Sequence, residues 1–352
     1  MIDTTILLKA YRMMSQVKAM AETYEANRSV CKYVHSTSRG HEAIQLATAF
    51  QLQPYDFVSP YYRDESIIMG IGFTPYEQML QLLAKGNDIF TGGREYYSHP
   101  NYNGDDKPTM IHQSSATGMQ AIPTTGLAQG VQYLENHLSG RLKKGSNGEL
   151  PIVICSLGDA SITEGEVSEA FQFAVLKQLP IIYLVQDNDW GISVTADEAR
   201  AMNAFEFAAG FKGMNRVQVD GSDFEASYSV MKDVCEFVRR ERKPYLVHAQ
   251  VPLLGHHTSG VRKEFYRSDD DWAKHEEHDP NPKLRKKLIE RNVSEEIIAE
   301  VEKEAAELVA ADFAKAVAAP DPDPSTIEDH IFAPTLVTEE KGERSPAGKE
   351  KV

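Results

Sequence analysis

From residue 151 onward the chain alternates apolar runs with longer amphipathic stretches. Residues 151–157 are a continuous apolar run that ends at Gly158-Asp159-Ala160-Ser161. A helical segment follows, and a second apolar run over 180–185 leads into Asp187-Asn188-Asp189-Trp190. Short apolar runs bounded by Pro and Gly are the signature of strands buried on both faces. The rhythm continues with a segment at 203–211, a strand at 216–219, a helix at 224–239 and a strand at 244–250. Such alternation predicts an α/β fold: a mainly parallel sheet with helices on both faces.

Upstream the pattern is mixed. Leu7, Tyr11, Met14, Val17, Ala21 and Tyr24 recur at helical spacing, which predicts an amphipathic helix within residues 1–28. A loop at 35–40 precedes a helix at 41–52. Residues 85–110 are polar, aromatic and Gly-containing without a period, and read as a long loop of the functional kind. Helical periodicity returns at 119–137, and a Lys/Gly/Ser linker at 141–149 leads to the first clear strand. Residues 294–317 read as a surface helix. The Pro-rich, then Lys/Glu-rich stretch at 320–352 reads as a linker-like tail, leaving 29–319 as one α/β domain.

Composition narrows the class. With 52 acidic against 37 basic side chains the formal net charge is −15, which argues against a nucleic-acid surface. No apolar run is long enough to span a membrane, and Asp3, Lys9, Arg12 and Lys18 interrupt any signal-peptide core. Cys31, Cys155 and Cys235 are odd in number, widely spaced and outside any C-x-x-C pair, as expected of reduced thiols in a cytoplasmic protein. The spacings of His248, His256, His257, His275 and His278 match no H-E-x-x-H or Cys/His zinc pattern.

The chemistry concentrates at the two strand ends. A strand–helix–strand unit places Asp159 and Asn188 at neighbouring strand termini facing one crevice, where open α/β sheets bind ligands. A carboxylate and an amide oxygen converging there suit Mg²⁺, which is held by a few protein oxygens plus substrate phosphates. This segment resembles the thiamine diphosphate motif, G-D-x, a helix, then a strand closing on N-N or a relative. It is most similar to the α subunit of the 2-oxo acid dehydrogenase decarboxylating components. The resemblance implies a thiamine diphosphate-binding fold in which Gly158, Asp159, Ala160, Ser161, Asn188, Trp190, Gly191 and Ile192 contact the cofactor. It assigns Mg²⁺ to Asp159, Asn188 and the backbone carbonyl of Trp190. Ala160 stands where many relatives have Gly, and Asp187 replaces the first Asn, adding a negative charge near the site.

Further segments carry the same resemblance in the same order. Gly40-His41-Glu42-Ala43 is similar to the family's G-Q-E-A, and Tyr62-Arg63 to its Y-R pair, where Arg grips the terminal phosphate. Arg fits that task because its planar fork makes paired, charge-assisted hydrogen bonds. Gly93 to His99 resembles G-R-x-x-x-x-H, which implies that His99 lies near the reacting carbons. Ser115 and Thr117, ahead of Gly118, fall in the segment that lines the aminopyrimidine ring. Gly255-His256-His257-Thr258 followed by Tyr266-Arg267 resembles the branched-chain enzymes' G-H-H-S loop and makes His257 the active-site histidine. Thr258 takes the place of that loop's Ser. Leu253 stands where an Arg is common, so Arg200 becomes the second phosphate-binding candidate.

The resemblance implies thiamine diphosphate and Mg²⁺ as cofactors and a small 2-oxo acid as substrate, branched-chain rather than pyruvate, with acetoin dehydrogenase another relative to consider. It also implies a β subunit, separate or fused beyond residue 352, and a lipoyl-bearing dihydrolipoyl acyltransferase that takes the acyl group. A non-catalytic scaffold that kept the fold is the competing class. The joint presence of Asp159, Asn188, Arg63 and His257 counts against it.

Overall fold

The computed structural model describes residues 2–111, 114 and 116–329. Strands β1 (Phe57–Ser59), β2 (Thr109–Met110), β3 (Val153–Gly158), β4 (Ile181–Asp187), β5 (Trp190–Gly191), β6 (Val194–Thr195), β7 (Asn215–Asp220) and β8 (Tyr245–Gln250) build the sheets. Six of them form one parallel sheet in the order β2-β1-β3-β4-β8-β7, while β5 and β6 make a small antiparallel hairpin. The expected parallel α/β architecture is therefore the observed one.

Strand alternation divides the core into two layers. Ile152, Ile154, Ile182, Leu184, Val247 and Ala249 point to one face, under the helices Glu42–Ala49 and Phe224–Glu241. Val153, Cys155, Leu157, Ile181, Tyr183 and Val185 point to the other, under Ala121–His137 and Gly165–Lys177. All seven residues of β4 are buried, and its first five, 181–185, read as an unbroken apolar run before the polar Gln186 and Asp187.

The amino-terminal helix spans Thr4–Ala26 and starts where Asp3 accepts a hydrogen bond from the Thr5 N–H at 2.8 Å. Leu7, Ala10, Tyr11, Met14, Val17, Met20 and Tyr24 are its buried stripe, with Met20 rather than Ala21 completing it. That stripe packs against Glu295–Val317, whose Ile298, Val301, Ala305, Val309, Phe313 and Ala316 are buried in turn. The helix expected at the surface thus has one face in the core.

Two further segments differ from the sequence expectation. The long loop ends in β2, which is too short to carry a period and is set by pairing with β1. Residues 320–329 are docked rather than loose: the Gly86 N–H donates to the Pro320 carbonyl at 2.9 Å, Lys85 pairs with Asp321, and Arg94 donates to Thr326. Residues 330–352, the remainder of the tail, lie outside the described residues.

The strand order reverses beside β3. The chain leaves β1 outward to β2, returns across β1 to β3, and then builds β4 and β8 on the far side. The crevice beyond the carboxyl ends of β1 and β3 is the switch point where such sheets bind ligands. Tyr62-Arg63 follows β1, Gly158-Asp159 ends β3, Asn188 follows β4, and the 252–258 segment follows β8. Among the described residues, no helix is long and apolar enough to cross a membrane.

Candidate active site

A cavity of about 450 Å³ opens at that switch point, within the size range of small-molecule and cofactor sites. Its lining includes Tyr62, Arg63, His99, Thr117, Gly158, Asp159, Ala160, Ser161, Asn188, Trp190, Gly191, Ile192 and His257. Residues separated by nearly 200 positions in sequence therefore share one chamber. Ser115 lies outside the described residues. Arg200 does not line the chamber; its guanidinium sits beside it, engaged with carboxylates.

One wall is cationic and underpaired. Arg63 is 4% exposed, and its guanidinium donates to two backbone carbonyls, His257 O at 3.0 Å and Thr37 O at 3.4 Å. Among the described residues, no carboxylate makes an ion pair with it. A buried cation held, among the described residues, by carbonyl dipoles and the face of the Tyr62 ring, 5.5 Å away, is a receptor for an anion. His257 stands next to it, its ring Nε2 3.5 Å from the Tyr62 hydroxyl and its buried Nδ1 without a hydrogen-bond partner among the described residues. Burial and the charge of Arg63 push the His257 pKa down to about 3, so the ring is neutral. The hydroxyl of Ser161, on the first turn after β3, is also buried and unpartnered.

The opposite wall carries oxygen ligands. Burial and the nearby Asp187 charge raise the Asp159 carboxyl, while Arg200 pulls it back through a 2.7 Å ion pair. Asp187, the added charge noted in the sequence, does not line the chamber. Arg200 holds both its oxygens, at 2.7 and 2.8 Å, and His248 meets Oδ2 at 2.8 Å. Burial opposes ionisation of Asp187, but the His248 hydrogen bond and the Arg200 charge hold its carboxyl below the usual range. Its charge is therefore neutralised inside the protein and does not reach the chamber bare.

Asn188 is 5% exposed and turns its Oδ1 to the Trp190 N–H at 3.1 Å. The β5–β6 hairpin brings Gly191 back over Ala160: a Cβ on Gly191 would come within 3.1 Å of the Ala160 Cβ. A carboxylate, an amide oxygen and a nearby backbone carbonyl are the hard donors a small divalent cation takes. Together with Arg63, which no carboxylate pairs among the described residues, and with the His257 Nδ1 and Ser161 hydroxyl, which have no partner among them, these residues fit a diphosphate and its divalent cation.

His99 reaches the chamber from the long loop, with its Nδ1–H donating to the Tyr97 carbonyl at 2.9 Å. A carbonyl can only accept, so this contact sets the proton on Nδ1. Leu253, at the position where an Arg would be expected, is fully buried and directs its backbone, not its side chain, to polar partners: its carbonyl accepts from Arg267 at 2.7 Å.

Sequence reasoning quoted His41 only within Gly40-His41-Glu42-Ala43, without a role at the site, and passed over Asp64 and Gln186; all three line the same cavity. Their signal was present: Gln186 is a polar residue at the end of an otherwise apolar run, and Asp64 follows the Tyr62-Arg63 pair. Gly40 gives His41 its place. Its φ of +99° is one that L side chains rarely adopt, and a Cβ there would stand 1.8 Å from the Pro252 carbonyl oxygen.

Comparison with known proteins shows the family. The family profile described as "Dehydrogenase E1 component" matches residues 10–325. The 2-oxoisovalerate dehydrogenase subunit alpha of Bacillus subtilis (strain 168) is 30% identical over 244 residues, 69% of this chain and 69% of that protein. The pyruvate dehydrogenase E1 component subunit alpha of Rickettsia bellii (strain RML369-C) is 27% identical over 277 residues, 77% of this chain and 78% of its own length. A mitochondrial 2-oxoisovalerate dehydrogenase subunit alpha 2 of Arabidopsis thaliana is 26% identical over 269 residues; the match covers 76% of this chain but only 53% of the plant protein. With nearly the whole of its described length matched and the chamber at the switch point of the sheet, the chain belongs to the dehydrogenase E1 component family.

Proposed function

We propose that this chain is the α subunit of the decarboxylating component of a branched-chain 2-oxo acid dehydrogenase, dependent on thiamine diphosphate and Mg²⁺ and acting in the cytoplasm with a β subunit. The observation that carries the reading is the convergence in one chamber of an underpaired buried Arg63, a neutral His257 with an orphaned nitrogen, and the oxygen donors of Asp159 and Asn188. A non-catalytic scaffold would have no physical reason to bury an arginine without a carboxylate.

In this reading Asp159, Asn188 and the Trp190 carbonyl hold Mg²⁺, and Arg63, Ser161 and His257 receive the diphosphate. Thr117 and Ile192 contact the rings, with Ser115 in the same role, and His99 faces the reacting carbons. Bound there, thiamine diphosphate supplies the carbanion that adds to the 2-oxo carbon and the electron sink for loss of CO₂. His257, neutral near pH 7, can accept a proton while the acyl group passes to the lipoyl arm of a dihydrolipoyl acyltransferase. Arg200 neutralises Asp159 and Asp187 from behind, so the second phosphate contact assigned to it would need it to leave these carboxylates.

A β partner is supported by the helix Ala121–His137, which begins next to the chamber. Gly126 and Gly130 lie on its exposed face between exposed Ile122 and Tyr133, and a Cβ on either glycine would meet nothing within 4 Å. Such a flat face accommodates closely approaching backbone. The branched-chain assignment rests on the relatives named above and on the double-histidine loop; pyruvate remains the alternative.

The test is calorimetric titration of thiamine diphosphate and Mg²⁺ into this chain co-expressed with its β-type partner. Metal-dependent binding is expected, followed by CO₂ release that is faster with branched 2-oxo acids than with pyruvate. A folded assembly that binds no cofactor would overturn the reading.

A further inference from the structure

Beneath the metal-side wall a chain of hydrogen bonds runs from a fully buried carboxylate to the Asn188 amide. Asp64 receives donors only: Gln186 Nε2 at 2.7 Å, Gln45 Nε2 at 2.9 Å and the Tyr61 N–H at 2.6 Å. Burial raises the Asp64 carboxyl against the pull of its hydrogen bonds and the Arg63 charge; as the acceptor of three donors it takes the nitrogen end of the Gln186 amide. Its second N–H goes to the Ser156 hydroxyl at 2.9 Å. The oxygen of Gln186 is thereby turned the other way, where it accepts from Gln45 Nε2 at 2.8 Å and from His41 Nδ1 at 2.9 Å. Gln45 is itself oriented by the Ser66 N–H, which donates to its oxygen at 3.2 Å.

The consequence passes through the imidazole. Since Gln186 Oε1 is an acceptor, His41 must carry its proton on Nδ1, and its Nε2 offers a lone pair. That lone pair lies 3.1 Å from Asn188 Nδ2, so the Asn188 amide nitrogen is drawn beneath the wall. Its oxygen is left at the opposite end, with the Trp190 N–H occupying one of two lone pairs. All these side chains are buried, with exposures between 0% and 5%, so water offers no alternative partner.

We propose that Asp64, Gln186 and His41 are a positioning relay that fixes the Asn188 amide with its oxygen, not its nitrogen, available to a divalent cation. The relay rests on the reading of Asn188 as a metal ligand given above. Without it the Trp190 N–H alone would hold an amide whose two ends have nearly the same shape, and a rotated Asn188 would point N–H groups at the cation. Outer partners that orient metal ligands typically change affinity about 10- to 100-fold when removed. His41 occupies the second position of Gly40-His41-Glu42-Ala43, where the family's similar quartet has Gln. An imidazole in this tautomer and a Gln amide each present one donor and one acceptor, so the relay also specifies which replacement preserves it.

Two measurements test the relay. The first is ¹⁵N NMR of the full chain labelled at histidine, without metal, with the His41 resonances identified by their loss in His41→Gln. A pyrrole-type Nδ1 and a pyridine-type Nε2 are expected; the opposite tautomer overturns the relay. The second is Mn²⁺ titration, with thiamine diphosphate present, of the full chain co-expressed with its β-type partner. His41→Leu is expected to weaken Mn²⁺ by about 10- to 100-fold, and His41→Gln to recover most of that loss. Wild-type affinity in His41→Leu, alongside weakened binding in Asn188→Ala, overturns the relay alone. Wild-type affinity in Asn188→Ala instead overturns the metal reading beneath it. Should His41→Leu fail to fold, His41→Gln decides: affinity as low as that of Asn188→Ala would overturn the relay.

Discussion

The two walls of the chamber solve opposite problems. On the metal side the polar groups already have partners within the chain: Asp159 holds Arg200, and Asn188 holds His41 and the Trp190 N–H. On the anion side, among the described residues, Arg63 has carbonyls and the Tyr62 ring, and His257 Nδ1 and the Ser161 hydroxyl have no hydrogen-bond partner. The first wall is oriented before any ligand arrives, and a cation has to share Asp159 with Arg200. The second wall carries an unmet demand for negative charge. Orientation without vacancy and vacancy without competition together favour a ligand that brings its cation and anion as one unit.

The largest effect should come from breaking the oriented wall. Asp159→Ala removes the one carboxylate ligand assigned to the chamber and frees Arg200 to swing toward Asp187. Metal-dependent thiamine diphosphate binding by the co-expressed assembly should fall on the order of 100-fold or more, beyond the range typical of outer partners. Calorimetry checks this, and retention of binding would remove the basis for calling this wall a metal site.

Breaking the vacant wall should cost less. Charged hydrogen bonds are worth about 1.5–3 kcal/mol each, so Arg63→Gln should weaken thiamine diphosphate by roughly 10- to 100-fold. Arg63→Lys should recover only part, because an ammonium cannot supply two parallel donors. The same variant should leave Mn²⁺ binding in the absence of diphosphate unchanged. A matched loss of both would show that the walls are one electrostatic unit.

How much of this was legible before folding follows from range. Strands β3, β4 and β8 could be read because each is long enough for its buried run to show, and β7 because its exposure alternates along the strand. β1 and β2 could not: three and two residues carry no period, and only pairing with neighbours defines them. The chamber residues were found because they sit at strand ends in motifs. The relay was invisible since its partners lie up to 147 positions apart, and a buried Gln resembles an ordinary strand terminus. Arg200 shows the limit of motif reading. Sequence places it near a phosphate, whereas its position between Asp159 and Asp187 depends on contacts across 41 and 13 residues.

The neutral His257 predicts a pH signature of the vacant wall. Its folded pKa of about 3 lies below the ordinary value of about 6.5. The unfolded chain therefore takes up the proton first. The stability linked to this residue is complete above about pH 6.5 and is lost as pH falls toward 3, by at most about 1.4 kcal/mol per unit. Urea denaturation of the cofactor-free chain between pH 7 and pH 5 should show His257→Asn with a shallower decline than wild type, by about 2 kcal/mol over that interval. Parallel curves would mean that His257 is charged in the folded chain.

The smallest effect belongs to the oriented wall and concerns its backbone. Ile192 lines the chamber at the hairpin between β5 and β6 with φ of +59°, and it is 51% exposed. A left-handed conformation costs an L residue roughly 1–2 kcal/mol, and a β-branched side chain half in solvent returns little of that through packing. Asp189 in the same excursion has φ of +65°, so the chain turns twice against its preference to bring Gly191 up to Ala160. Strain of this kind persists only where surrounding contacts hold it, which is common at ligand sites. Ile192→Asn, whose short polar side chain tolerates the left-handed region, should raise the unfolding free energy by about 1 kcal/mol while lowering cofactor affinity. Gain in stability with loss of affinity would mark the hairpin as strained for binding. Loss of both would instead mean that the Ile192 side chain packs as part of the wall, and that the metal side is held by its contacts more than by its turns.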